Sequence, residues 1–226
     1  DNNILVMSVE INGVKSSDER RIQSIMDSHG FSELKQTQIQ AFSNGILDDG
    51  NHLLVAETGN GKTLCAEAVT KKYLDQNSAV AYLVPSTQLV RDKKESIEDW
   101  VSEGVDVATG SGKYHHGDVV VATFNSFYQA ILRGAGNVRS FDVAILDDFH
   151  ELYGSFIGPG LEKSIAASKQ YDIDLFAMSA TIGNPEDIAE WLDADLTVSD
   201  EKSSIPIEES VVSPDYSSKK QSLVSF

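Results

Sequence analysis

The sequence predicts an α/β fold: a parallel sheet with helices on both faces, packed as a three-layer sandwich. Three observations carry that prediction. Short, almost wholly apolar runs alternate with helical stretches along the 226 residues, as expected for strands that crossover helices cover on both faces. A glycine-rich loop sits between the first apolar run and the helical stretch that follows it, and a later apolar run ends in two adjacent carboxylates.

Taken in order, Asp18–Ser28 reads as a first helix, with Ser17 as its N-cap and Gly30 as its stop, and Glu33–Asn44 as a second. Strands are predicted at His52–Ala56, Val80–Val84, Val105–Ala108, Val119–Ala122, Val143–Leu146 and Leu175–Met178. Between and after them, helices are predicted at Lys62–Leu74, Thr87–Glu103, Ser126–Arg133, Gly160–Lys169 and Pro185–Leu192. This gives an N-terminal extension with its helix over residues 1–30 and a main domain over 31–200. Residues 201–226 read as a linker or strand, because the pattern decays there into Ser, Lys, Glu and Pro around the alternating stretch Ile205–Val212. With no initial methionine and a polar end, the chain reads as a piece of something longer.

Composition narrows the function. At 41% hydrophobic the chain can bury one sizeable core, and no apolar run reaches the roughly 20 residues that cross a bilayer. Nor does the start carry a secretory pattern, so the expected setting is soluble, intracellular and cytoplasmic. The single cysteine, Cys65, cannot form an internal disulfide and is expected to pack in the core. A formal charge of −17 opposes non-specific binding of nucleic acid by the chain as a whole and leaves room only for a local groove that is not acidic.

The sharpest chemical signal is Ala56-Glu-Thr-Gly-Asn-Gly-Lys-Thr63, placed after a predicted strand and opening a predicted helix. Main-chain N–H groups of such a loop converge on an anion, and the helix N-terminus adds partial positive charge. Within it Thr58, Gly59, Asn60 and Gly61 form the cradle, Lys62 reaches the outer phosphates, and the Thr63 hydroxyl can ligate magnesium. Ala56 stands where the commonest phosphate-loop pattern has glycine. The second signal is Val143-Ala-Ile-Leu-Asp147-Asp148-Phe-His150, in which Asp147 can hold magnesium and Asp148 can orient or deprotonate a water. On its own an Asp-Asp pair more often caps a turn. A third, Ser179-Ala180-Thr181, follows the last predicted strand and means little in isolation.

In this order the three segments resemble motifs I, II and III of superfamily 2 helicases, with motif II of the DExH type. The likeness is strongest to the Ski-type RNA helicases and their archaeal DNA-repair relatives. Two further segments support it: Phe31–Ala41, similar to the stretch that carries an adenine-reading glutamine, with Gln38 the match and Gln36 and Gln40 lesser candidates, and Gly183–Leu192, similar to a helix common in that group. The resemblance implies a first RecA-like domain that binds ATP and Mg2+ with Lys62, Thr63 and Asp147. It further implies Asp148 in place of the catalytic-base glutamate, His150 coupling nucleotide to motif III, and Ser179 and Thr181 relaying its state to single-stranded or partly duplex DNA or RNA. A second RecA-like domain would be the partner within the parent protein.

There are departures. Asp148 is one methylene shorter than the usual glutamate, and a misplacement of about 1 Å can cost on the order of 100-fold in rate. Thr87 replaces the usual basic residue of motif Ia, Gly110 lacks its following acid, and Thr123 is followed by Phe124 where proline is usual. Hydroxyls and main-chain N–H groups still hold phosphates without reading sequence, so Thr87, Gly110 and Thr123 stand as the strand-contacting candidates. His115-His116 reads as exposed loop, Lys71-Lys72 and Lys93-Lys94 as solvated helix faces, and Phe31 as a core residue in preference to an adenine contact. Against the leading reading, an ATP-dependent helicase of which the chain alone is poorly active, stands a nucleotide-gated binding or remodelling subunit with attenuated catalysis. An unrelated phosphate-loop kinase or GTPase fits less well, because no Asn-Lys-x-Asp guanine signal is present.

Overall fold

The computed structural model describes residues 14–110, 117–133 and 141–199. Two helices, α1 (Ser16–His29) and α2 (Gln36–Ser43), precede β1 (Asn51–Val55) and α3 (Lys62–Asp75). Then come β2 (Ala79–Val84), α4 (Thr87–Glu98), β3 (Val107–Thr109), β4 (Val119–Thr123), α5 (Phe124–Leu132) and β5 (Phe141–Leu146). A short 3-10 helix (Phe149–Tyr153), α6 (Gly158–Gln170), β6 (Asp174–Ser179), α7 (Pro185–Leu192) and β7 (Ala194–Val198) complete the order. The seven strands form one sheet in the order β3-β4-β2-β5-β6-β1-β7. Every pairing is parallel.

Because successive strand residues face opposite ways, apolar strands supply two cores at once. On one face Leu54, Tyr82, Ile145 and Met178 pack with Ile22 and Met26 of α1, Phe42 of α2, and Leu64 and Val69 of α3. On the other, Leu53, Leu83, Leu146 and Ala177 pack with Phe127 of α5, Leu161 of α6 and Leu192 of α7. The sandwich is therefore three layers, as its sequence predicts, and α1 belongs to the same core as α3. Cys65 is fully buried there, and burial pushes its thiol up to about 12.

Several boundaries differ from expectation. The first helix starts at Ser16 after Lys15, so Ser17 is helical and not the cap, whereas Gly30 does end it, in the left-handed region at φ 67°. The second starts at Gln36. Helix α4 stops at Glu98, short of Glu103, with Asp99 as its C-cap, and Trp100 and Val101 after it pack against the core. Strand β3 runs over Val107–Thr109, later than Val105–Ala108. Helix α5 begins two residues early because the Thr123 hydroxyl caps it, accepting from the Ser126 N–H at 3.1 Å.

Strand β7 and the 3-10 helix are absent from the sequence reading. Ala194-Asp-Leu-Thr-Val198 lacks the apolar run of the other strands because it is an edge strand, paired among the described residues with β1 alone. The stretches His115-His116 and Ile205–Val212 lie outside the described residues.

Candidate functional site

In a parallel sheet all carboxyl ends lie along one edge, where ligands sit in open α/β folds. Here the ends of β1, β6 and β5 are neighbours, which brings together three segments far apart in sequence. The Ala56 N–H donates to the Ser179 carbonyl at 3.1 Å, joining the first residue of the glycine-rich loop to the end of β6.

The loop is built for close approach. Gly59 and Gly61 take φ of +87° and +80°, which side chains rarely adopt. An added Cβ at Gly61 would also lie 2.2 Å from Gln38 Nε2, so the Gln38 amide would have to move. Gln38, 4% exposed, fastens two segments: its amide donates to the Gly61 carbonyl at 3.1 Å, and its carbonyl accepts from the Lys35 N–H at 2.8 Å. Of the lesser candidates, Gln40 donates instead to the Val198 carbonyl at 3.0 Å, and Gln36 merely opens α2. Asn60 is buried, whereas Thr58 and Thr63 are exposed at the rim.

Lys62 folds back on the loop, its ammonium donating to the carbonyls of Ala56 at 2.6 Å and Glu57 at 3.1 Å. Burial pushes its pKa down, while Asp147 and Asp148 oppose that shift. Asp148 is left-handed at φ 55°, where the chain turns from β5 into the 3-10 helix. Burial first, and the Asp147 charge second, raise its carboxyl above the ordinary carboxylate range. Thr58, Gly59, Gly61, Lys62, Thr63, Asp147 and Asp148 all line one cleft of about 440 Å³.

Behind it, His150 Nδ1 and Ser179 Oγ are buried with no hydrogen-bond partner among the described residues. A buried polar atom left unpaired costs about 1–3 kcal/mol. Thr181 is exposed.

The three strand-contacting candidates also meet. Thr87, Gly110 and Thr123 line a second groove of about 500 Å³ with Arg91, Lys94 and Ser126. Ser126 Oγ donates to the Gly110 carbonyl at 3.1 Å, which clamps two of its walls. A third cavity, about 410 Å³, opens beside Gly61 and Thr63 and is lined by His29, Phe31, Gln38 and Glu67. Phe31 is 50% exposed, not a core residue, and stacks on His29 at 5.3 Å. His29 Nε2 lies 2.7 Å from Glu67 Oε2.

One lysine in each of the two pairs read as solvated faces proves otherwise. Lys72 is buried and binds the Asp48 carbonyl at 2.9 Å and the Asp49 carboxylate at 2.8 Å. Lys93 reaches Asp147 Oδ2 at 2.9 Å. The signal was helical spacing: Leu89 and Lys93, four apart, face the nucleotide cleft, whereas Thr87, Val90, Arg91 and Lys94 face the groove. A doublet reading of Lys93-Lys94 merges two faces.

Comparison with known proteins follows this geometry. Residues 35–188 match the model of the DEAD/DEAH box helicase family. Over 190 residues the chain is 34% identical to the ATP-dependent DNA helicase Hel308 of Pyrococcus horikoshii, covering 80% of this chain and 26% of that protein. It is 33% identical over 190 residues to Hel308 of Thermococcus kodakarensis, covering 80% of this chain but 17% of that one. Among solved structures it is similar to the DUF1998 helicase MrfA, with TM-score 0.64, 21% identity, and coverage of 83% of this chain and 33% of that one. It is also similar to Mycobacterium smegmatis helicase Lhr bound to ssDNA and AMP-PNP, with TM-score 0.63, 20% identity, and coverage of 83% and 28%. Those likenesses show the fold, and the chain spans a third or less of each of these proteins. With a matching family model over most of its length and a RecA-like sheet beneath it, the chain belongs to the DEAD/DEAH box helicases, of which it carries the first RecA-like domain.

Proposed function

We propose that the chain binds ATP with magnesium in the cleft at the ends of β1 and β5 and contributes one wall of a single-strand groove, as the first half of a helicase motor. The observation that carries this reading is the convergence of Lys62, Thr63, Asp147 and Asp148 on one cleft. Lys62 would exchange its two loop carbonyls for phosphate oxygens, and the main-chain amides of Gly59–Thr63 would hold the rest of the triphosphate. The adenine would enter the cavity beside Gln38 and Phe31, which abuts the loop at Gly61.

The donor set fits magnesium. No cluster of three or more His, Cys, Asp or Glu exists among the described residues, and magnesium asks for none, taking one or two oxygen ligands beside waters and phosphates. Thr63 and Asp147 would hold it. When bound it supplies positive charge against the transferring phosphoryl group. Asp148 would orient the attacking water, and the unpaired Ser179 Oγ and His150 Nδ1 are free to register what occupies the cleft. An intracellular setting, a DNA or RNA strand, and a second RecA-like domain that supplies an arginine complete the reading.

The chain alone is expected to bind ATP weakly, to hydrolyse it slowly and not to unwind duplexes; robust unwinding by these 226 residues would refute this. One observation favours a second reading, a nucleotide-gated subunit with attenuated catalysis: Asp148 is one methylene shorter than the glutamate usual at its position. ATPase of the whole protein, with and without single strands, separates the two when repeated with Asp148→Glu. A wild-type rate strongly stimulated by strands supports the motor, and a rise of about 100-fold on substitution supports attenuation.

A further inference from the structure

Asp147 holds three partners, and only one of them can leave. Its Oδ1 accepts from the Asp148 main-chain N–H at 3.1 Å, a bond set by the turn after β5. Its Oδ2 accepts from the Tyr82 hydroxyl at 3.0 Å, and Tyr82 is locked in the core of β2. The third partner is Lys93, on a flexible four-carbon stem from α4, whose ammonium also lies 5.0 Å over the Tyr82 ring. Lys93 itself lines the cleft with Gly59, Lys62 and Thr63, so polyphosphate oxygens would come within reach of the same ammonium.

Charge decides the rest. The cleft walls carry two lysines and two aspartates, and a divalent ion against Asp147 would face the Lys93 ammonium at close range. Like charges only a few Å apart repel by several kcal/mol at an effective dielectric near 20. Resting on the nucleotide reading above, we propose that Lys93 is an exchangeable counter-ion. It neutralises Asp147 while no metal is present and passes to the nucleotide phosphates when magnesium takes that carboxylate. Its release frees one tie between the sheet and α4, the helix whose other face lines the groove.

Binding of ADP to the 226-residue chain, by titration calorimetry in excess EDTA and again in magnesium, tests this. Without Lys93, ADP in EDTA meets two uncompensated carboxylates, and ADP in magnesium lacks the phosphate contact that the released ammonium makes. The Kd should therefore weaken about tenfold or more in both conditions in Lys93→Met, stay near wild type in Lys93→Arg, and change little in Lys71→Met, which removes equal charge elsewhere. In EDTA without nucleotide, Lys93→Met should also melt below wild type. An unchanged Kd of Lys93→Met in either condition, or an equal weakening in Lys71→Met, overturns the proposal. Failure of the wild-type chain to bind ADP at all would instead remove the nucleotide reading on which it rests.

Discussion

The nucleotide cleft and the strand groove share helix α4 and differ in how they are held. In the cleft the ligand-facing groups are fastened from behind: Gln38 to Gly61, Ala56 to Ser179, Tyr82 and Lys93 to Asp147. Its loop admits a side chain at Gly61 only with strained backbone and a displaced Gln38. In the groove Thr87 and Arg91 are exposed, and the Thr123 hydroxyl is already occupied as the cap of α5. Lys94 is held by Glu98 one turn along the same helix. A site for a compact, highly charged ligand is preorganised, because its binding geometry has to be met closely. One for a repeating backbone manages with dispersed, individually weak contacts.

The sharpest way to break this contrast is Gly61→Ala. Left-handed strain costs about 1–3 kcal/mol, and the methyl displaces Gln38. Melting is expected to fall by about 2–4 °C per kcal/mol in a chain of this size, with nucleotide binding lost in calorimetry and strand binding weakened little. Next in size is Lys62→Ala. Charged hydrogen bonds contribute about 1.5–3 kcal/mol each, so each one lost should weaken ATP by about 10- to 100-fold, with the melting temperature nearly unchanged.

In the groove, Arg91→Ala is expected to weaken a fluorescent single strand only a few-fold. The slope of log affinity on log salt should drop by about 0.7, and ADP binding should not change. An equal loss of both ligands would show that the two sites are not separable in this way.

The smallest effect concerns Glu67, which lines the cavity beside the loop. Burial, partly offset by His29, raises its pKa above the ordinary 4.5. The folded chain then holds that proton more tightly than the unfolded one, so stability falls as pH rises from 4.5 through the raised value. Glu67→Gln removes this dependence. The melting difference between variant and wild type should grow in the variant's favour across that window and level off above it.

Much of the fold was legible in residues 51–192. Strands buried on both faces are apolar throughout, and the phosphate loop, acid pair and Ser-Ala-Thr turn each follow one. Ends were less legible: the cap of α5 lies in Thr123, a residue the sequence reading had given to nucleic acid, and β7 hides its role behind Asp195 and Thr197. Lys72 and Lys93 were misread for another reason, since the buried Lys72 and the partly buried Lys93 are each held by carboxylate or carbonyl partners on other elements.

By itself the sequence determined the order of strands and helices, the glycine positions of the loop, and which residue types can hold a triphosphate and its metal, because periodicity and turn chemistry act over a few residues. Only the tertiary structure decided that β6 lies between β1 and β5, that Thr87, Gly110 and Thr123 share one groove, and that Lys93 rests on Asp147. Those are relations between segments distant along the chain, and local sequence preferences do not encode which strand lies beside which.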